Sequence, residues 1–149
     1  MMTDDFSLTR DDDYSTDYSL APVSEIEIKR LENSLGLAFP ASYRKFLAHY
    51  NGGSFKECVF PESEIGPLIV VSFFSANGAN GDPVDVAIRN MREYLPFSCI
   101  PFAEDPGGNL FYIDTADGDR VFFWEHETRD RYFLSESFQA FVNHLALDA

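Results

Sequence analysis

The side chains best suited to general-base, nucleophile or metal-ligand chemistry in this 149-residue sequence are three histidines, two cysteines and twenty-five carboxylates. A nucleophilic Ser or Cys needs a base beside it and a third group that orients the base. His49, His126 and His144 come with no Gly-x-Ser-x-Gly elbow, and His126-Glu127 lacks the second histidine of a zinc-protease helix. His49 and His144 fall late in expected helices, where an imidazolium complements the helix dipole. Cys58 and Cys99 are too few for a disulfide scaffold and lie near apolar residues, so both are expected as buried free thiols. Asp11-Asp12-Asp13 lacks the glycine and the glutamate that a calcium loop places downstream. The glycines of residues 77–83, NGANGDP, fit no phosphate-loop spacing and read as a loop. No spacing singles out a carboxylate pair for sugar chemistry. The residues therefore point to no catalytic site, no cofactor and no metal.

The elements that must position these side chains are short. Ser24 and Glu27 have capping-box spacing, with Val23 and Ile28 as a hydrophobic staple. Ile28, Leu31 and Leu35 form one apolar stripe, and Gly36 is placed to stop that helix in the left-handed conformation. Pro40 opens a second helix, whose stripe is Tyr43, Phe46, Leu47 and Tyr50, and Asn51-Gly52-Gly53 closes it. A short strand is expected around residues 58–60 and a β-branched, aromatic strand over 68–74. Pro83 opens a third helix that buries Val84, Ala87, Ile88, Met91 and Leu95 and stops at Pro96. Three strands follow over residues 98–103, 110–114 and 120–126, the last two flanking Asp117-Gly118 as a tight hairpin turn. A final helix over 135–145 buries Phe138, Phe141, Val142 and Leu145. Adjacent strands joined by short turns pair antiparallel, so the fold class is α+β. The expected architecture is a single domain with an antiparallel-rich sheet packed against an N-terminal helix pair, a middle helix and a C-terminal helix. That domain covers residues 24–149. Residues 1–23 carry six Asp against Arg10 alone and read as an acidic, loosely ordered arm.

Charge narrows the partners. Eleven Lys and Arg against twenty-five Asp and Glu leave −14, which disfavours nucleic acid and anionic lipid and suits a basic protein. The N-terminus, MMTDDFSLTRDDD, is acidic where a signal peptide is basic and then apolar, so the cytoplasm is the expected compartment.

Two blocks carry a family resemblance. The first is LENSLGLAFPASYRKFLAHYNGG, with Glu32, Leu35, Gly36, Phe39, Pro40, Tyr43, Phe46, Leu47, Asn51, Gly52 and Gly53 at the matching positions. The second is PFAEDPGGNLFYIDTADGDRVFFWEHE, with Phe102, Ala103, Asp105, Gly107, Gly108, Asn109, Asp114 and Trp124, followed by Ser137, Phe138, Phe141 and Val142. In this order they resemble the SUKH superfamily, the Smi/Knr-like proteins, over residues 24–145. Phe39 stands where leucine is usual. The resemblance implies a binding function without catalytic residues. Bacterial SUKH proteins are similar to immunity proteins, which bind and neutralise a cognate toxin, often a nuclease. Fungal relatives are associated with regulation of cell-wall synthesis, which leaves a regulatory module recruiting a partner protein as the alternative. The oligomeric state is not legible.

The expected contact region lies between residues 104 and 130, which hold eight acids against Arg120 and Arg129. Glu104, Asp105, Asn109, Asp117, Asp119, Trp124, Glu125 and Glu127 are the candidate partner-binding residues. Two have a competing structural role. Trp124 is either an interface anchor or a core residue on a buried strand face. Asp105, with Gly107-Gly108-Asn109, is either a contact or the residue that caps a turn.

Overall fold

Ser24 opens the first helix with the reciprocal cap that its spacing predicts. Its Oγ accepts from the Glu27 N–H at 3.2 Å, and its own N–H donates to Glu27 Oε1 at 3.5 Å. Val23 and Ile28 are both buried, as a hydrophobic staple requires. Replacing Ser24 with alanine is expected to cost about 1 kcal/mol, read as a lower urea midpoint at unchanged slope.

The computed structural model describes residues 14–15, 23–55, 58–77 and 83–147. The elements in chain order are β1 (Tyr14–Ser15), α1 (Glu25–Leu35), α2 (Ala41–Tyr50), β2 (Ser54–Phe55), β3 (Cys58–Phe60), β4 (Leu68–Ile69) and β5 (Ser72–Phe73). They continue as α3 (Val84–Met91), β6 (Cys99–Glu104), β7 (Leu110–Asp114), β8 (Arg120–Trp124), β9 (Arg131–Ser135), α4 (Phe138–His144) and β10 (Ala146–Leu147). The main sheet is antiparallel with strand order β5-β6-β7-β8-β9. A second sheet has the order β10-β3-β4, and β1 pairs with β2. The fold is the expected α+β domain of an N-terminal helix pair, a middle helix, an antiparallel sheet and a C-terminal helix. Apart from Tyr14–Ser15, the acidic arm lies outside the described residues up to residue 22, as does most of the 77–83 loop.

One face of the main sheet is sealed by α2 and α4 through aromatic rings. Phe102 is the hub, with ring centroids 5.0 Å from Phe138, 5.2 Å from Phe141 and 6.2 Å from Tyr43. Phe46 reaches the same cluster from α2, 4.8 Å from Phe73 and 5.2 Å from Phe138. Tilted and edge-on ring pairs of this kind add about 0.5–1.5 kcal/mol each beyond the area they bury. A bulge explains the position of Phe102: the register of β6 shifts between Pro101 and Ala103. Proline has no N–H for the ladder, so a bulge is where a strand tolerates it.

Four local expectations need correcting. The 68–74 strand is two strands, because the Val70 N–H donates to Cys58 O while the next N–H, of Val71, donates to Glu104 O. The chain changes sheets between those residues. The β7–β8 connection is a five-residue turn over 115–119 and not a tight Asp-Gly turn. Asp114 builds it: its Oδ1 accepts from the Ala116 N–H at 3.1 Å, and Gly118 and Asp119 take φ of 64° and 62°. The strand expected over 120–126 ends at Trp124, and a further strand, β9, follows it. The last helix starts at Phe138, capped by Ser137 Oγ, while Ser135 is the buried end of β9.

Candidate protein-binding surface

Hairpin geometry divides the candidate residues between the two ends of the main sheet. Leu110 pairs with Trp124 at one end of the β7–β8 ladder, and Asp114 with Arg120 at the other. Four residues of strand, roughly 13 Å, separate them. Glu104, Asp105, Asn109, Trp124, Glu125 and Glu127 gather at the first end. Asp117 and Asp119 sit at the second, where Asp117 Oδ1 lies 3.4 Å from Arg120 Nη1. The structure therefore brings six of the eight together.

At the first end two loops are stapled. Asp105 uses its carboxylate inward: Oδ1 accepts from the N–H groups of Gly107 (2.9 Å) and Asn109 (2.8 Å), and Oδ2 from Asn109 Nδ2 (3.0 Å). This is the turn-capping role, and it leaves little of Asp105 for a partner. Asn109 then reaches the neighbouring loop, accepting the His126 N–H on Oδ1 at 3.0 Å. His126 closes the staple, its Nε2 donating to Gly107 O at 3.0 Å. A carbonyl can only accept, so that nitrogen carries the proton. Asp105, Asn109 and His126 thus hold the 105–109 turn against the 125–130 loop and fix the spacing of the acids on both. Glu104 stands beside them on β6, accepting from Ser72 Oγ at 3.3 Å. Glu127 is exposed and Glu125 half-buried.

Trp124 takes its structural role. It is 6 % exposed and lies under Tyr94, ring centroids 6.0 Å apart. The aromatic presented to solvent is Tyr94, 45 % exposed, with the Arg129 guanidinium 4.9 Å from its ring centroid. Tyr94 and Arg129 are absent from the sequence-derived set. Tyr94 follows α3 one residue off the apolar stripe, between Met91 and Leu95, and that offset is the signal that marks it as outward-facing. Beside it a groove of about 380 Å³ runs between α3 and the sheet, lined by Val86, Met91, Glu104 and Leu110 among others.

Both cysteines are buried, and burial pushes each thiol up to about 12, so neither supplies thiolate at neutral pH. Among the described residues no three His, Cys, Asp or Glu side chains converge on a possible metal position. No described helix is long and apolar enough to cross a membrane.

Residues 22–144 match the SMI1/KNR4 family (SUKH-1). The chain belongs to this family. It is also similar to the SPbeta prophage-derived uncharacterized protein YokK of Bacillus subtilis (strain 168), 29 % identical over 140 residues, covering 78 % of this chain and 71 % of that protein. The SUKH-1 match begins one residue before Val23 and ends at His144, the last residue of α4. It therefore spans the aromatic core and the stapled loops alike.

Proposed function

We propose that this SUKH-1 protein is a non-catalytic binding module, an immunity protein that captures and neutralises a cognate bacterial toxin. The observation that carries the reading is the stapled acidic end of the main sheet. Glu125, Glu127 and Asp130 stand on the 125–130 loop, which Asn109 and His126 hold against the 105–109 turn, with Glu104 beside it at the end of β6. Fixed loops carrying acids and an exposed Tyr94 suit a basic protein surface, because pre-ordered side chains lose less entropy on binding. A nuclease toxin fits that description, since its active face must hold a phosphate backbone. Family membership supports the same reading through the immunity proteins that bacterial SUKH members resemble. The cytoplasm is the compartment in which such a toxin would be met.

The test is co-expression with the toxin encoded beside this chain. Restored growth at matched levels, with a joint peak on a sizing column, is the expected result. Continued killing without a complex overturns the reading. Acidic steering adds a kinetic expectation: the association rate falls several-fold as the screening length shrinks from about 30 Å at low salt to about 8 Å at physiological salt. A salt-independent rate removes charge from the recognition.

A further inference from the structure

We propose that the open edge of β9 pairs with an extended, lysine- or arginine-bearing segment of the protein partner. This deepens the reading above and rests on it. Strand β9 is the last of the main sheet, and among the described residues its outer side has no main-chain partner. Unpaired N–H and C=O groups along a strand edge are a template for a further strand. From Tyr132 to Leu134 the side chains are apolar on both faces. Phe133 is 40 % exposed on one, and Tyr132 and Leu134 are half-buried on the other. The Arg131 guanidinium at the start of the strand lies over the Phe122 ring, 3.7 Å from Asp114 Oδ2.

A groove runs beside this edge. It has a volume of about 310 Å³ and is lined by Phe60, Pro61, Glu62, Leu134 and His144. The register of β9 against β8 slips between Phe133 and Ser135, which makes Leu134 the bulged residue. An incoming strand can pair with residues 131–133 and lay one side chain into the groove beside Leu134. Main-chain bonds then supply affinity and the groove supplies selection, the usual division in strand addition.

Charge selects the occupant. Glu62, Glu64 and Asp130 are exposed around the edge and Glu125 is half-buried. None of these four carboxylates has an ion pair among the described residues. Asp130, Glu125 and Glu64 all stand close enough to Tyr132 to act on its phenol, which is held above its ordinary range by burial first and by these charges second. A second copy of the chain would bring the same acids and a net charge of −14 against themselves. A cationic strand gains where a copy repels.

The experiment is amide NMR of the full chain titrated with a short capped peptide of alternating valine and lysine. The expected shifts fall at residues 131–134 and at Phe60 and Glu62, which flank Pro61 in the groove. They disappear with a copy N-methylated along its pairing edge, and binding weakens roughly tenfold or more when glutamate replaces lysine. Shifts elsewhere, equal binding of the N-methylated copy, or no shifts at millimolar peptide overturn the proposal. Concentration-dependent dimerisation through the same amides also overturns it, by assigning the edge to a second copy. Toxin capture without peptide binding at β9 sinks the edge alone. Peptide binding at β9 without toxin capture supports the edge and sinks the immunity reading.

Discussion

Gly52→Ala will destabilise the chain by about 2–4 kcal/mol, far more than the usual cost of one methyl group. Two effects act together at this position. Its φ is +83°, in the left-handed region that costs a residue with a Cβ about 1–2 kcal/mol. A Cβ there would also stand 2.8 Å from Ser75 Cα and N and 2.9 Å from Phe73 O, all backbone atoms that cannot swing aside. The close approach exists because the chain leaving α2 runs along β5: the Phe73 N–H donates to Gly53 O at 2.8 Å, and the Gly53 N–H to Phe73 O at 3.0 Å. Asn51 holds the same junction, its Oδ1 accepting from the Ala76 N–H at 2.8 Å. Gly36 separates the two effects. It has φ +67° but nothing within 4 Å of its added Cβ, so Gly36→Ala will cost only the conformational part. Urea unfolding of both variants decides the matter. Equal losses for the two would show that the β5 contact contributes nothing. The difference should also appear as a melting point for Gly52→Ala lower by about 2–4 °C per kcal/mol.

That contrast shows what the sequence could and could not convey. Both glycines were legible as helix stops, because Asn and Gly after an apolar stripe point to a left-handed residue. The tight seat of Gly52 was not, since it depends on a strand about twenty residues downstream. The same division holds through the fold. Helix starts were readable from Ser24 and from the prolines before α2 and α3, because caps and fixed φ are local. The step between sheets at Val70 and Val71 was not, because residues 68–74 are continuously apolar and aromatic whichever sheet they join. Strand β9 escaped because its bulge at Leu134 breaks the alternation by which strands are recognised.

The candidate surface was legible as composition and illegible as geometry. Counting acids from Glu104 to Asp130 treats the segment as a line, whereas the hairpin sends Asp117 and Asp119 to the far end of the sheet. Trp124 has the residue type of an interface anchor, but its register opposite Leu110 turns it beneath Tyr94. From the sequence, His126 offers only a base or a metal ligand, each without its partner residues. Its bond to Gly107 O is made across eighteen intervening residues, a separation that no motif encodes.

Glu32→Ala is the second variant expected to lose much of the stability, about 2–3 kcal/mol, from a residue far from any proposed contact. Glu32 is 6 % exposed, an unusual place for a carboxylate on an amphipathic helix. Its purpose is the elbow between α1 and α2. Oε2 accepts from the Phe39 N–H at 2.6 Å, in a stretch where Pro40 ends the chance of helical pairing. Arg44 offers charge from α2, but its Nη1 is 3.9 Å from Oε1 and its side chain is 47 % exposed. At that distance and exposure the ion pair is worth little, so the hydrogen bond decides. Three variants test this ranking by urea unfolding. Alanine at 32 leaves a buried N–H without a partner and carries the full loss. Glu32→Gln keeps an acceptor at the same reach and loses about half as much. Arg44→Ala stays within about 1 kcal/mol of the parent. A large loss for Arg44→Ala with a small one for Glu32→Gln would reverse the ranking and make the elbow an electrostatic joint. The elbow sets how α2 meets the sheet, so Glu32→Ala should also broaden the amide signals of Tyr43 and Phe46. The loops around His126, stapled by their own bonds, should keep theirs.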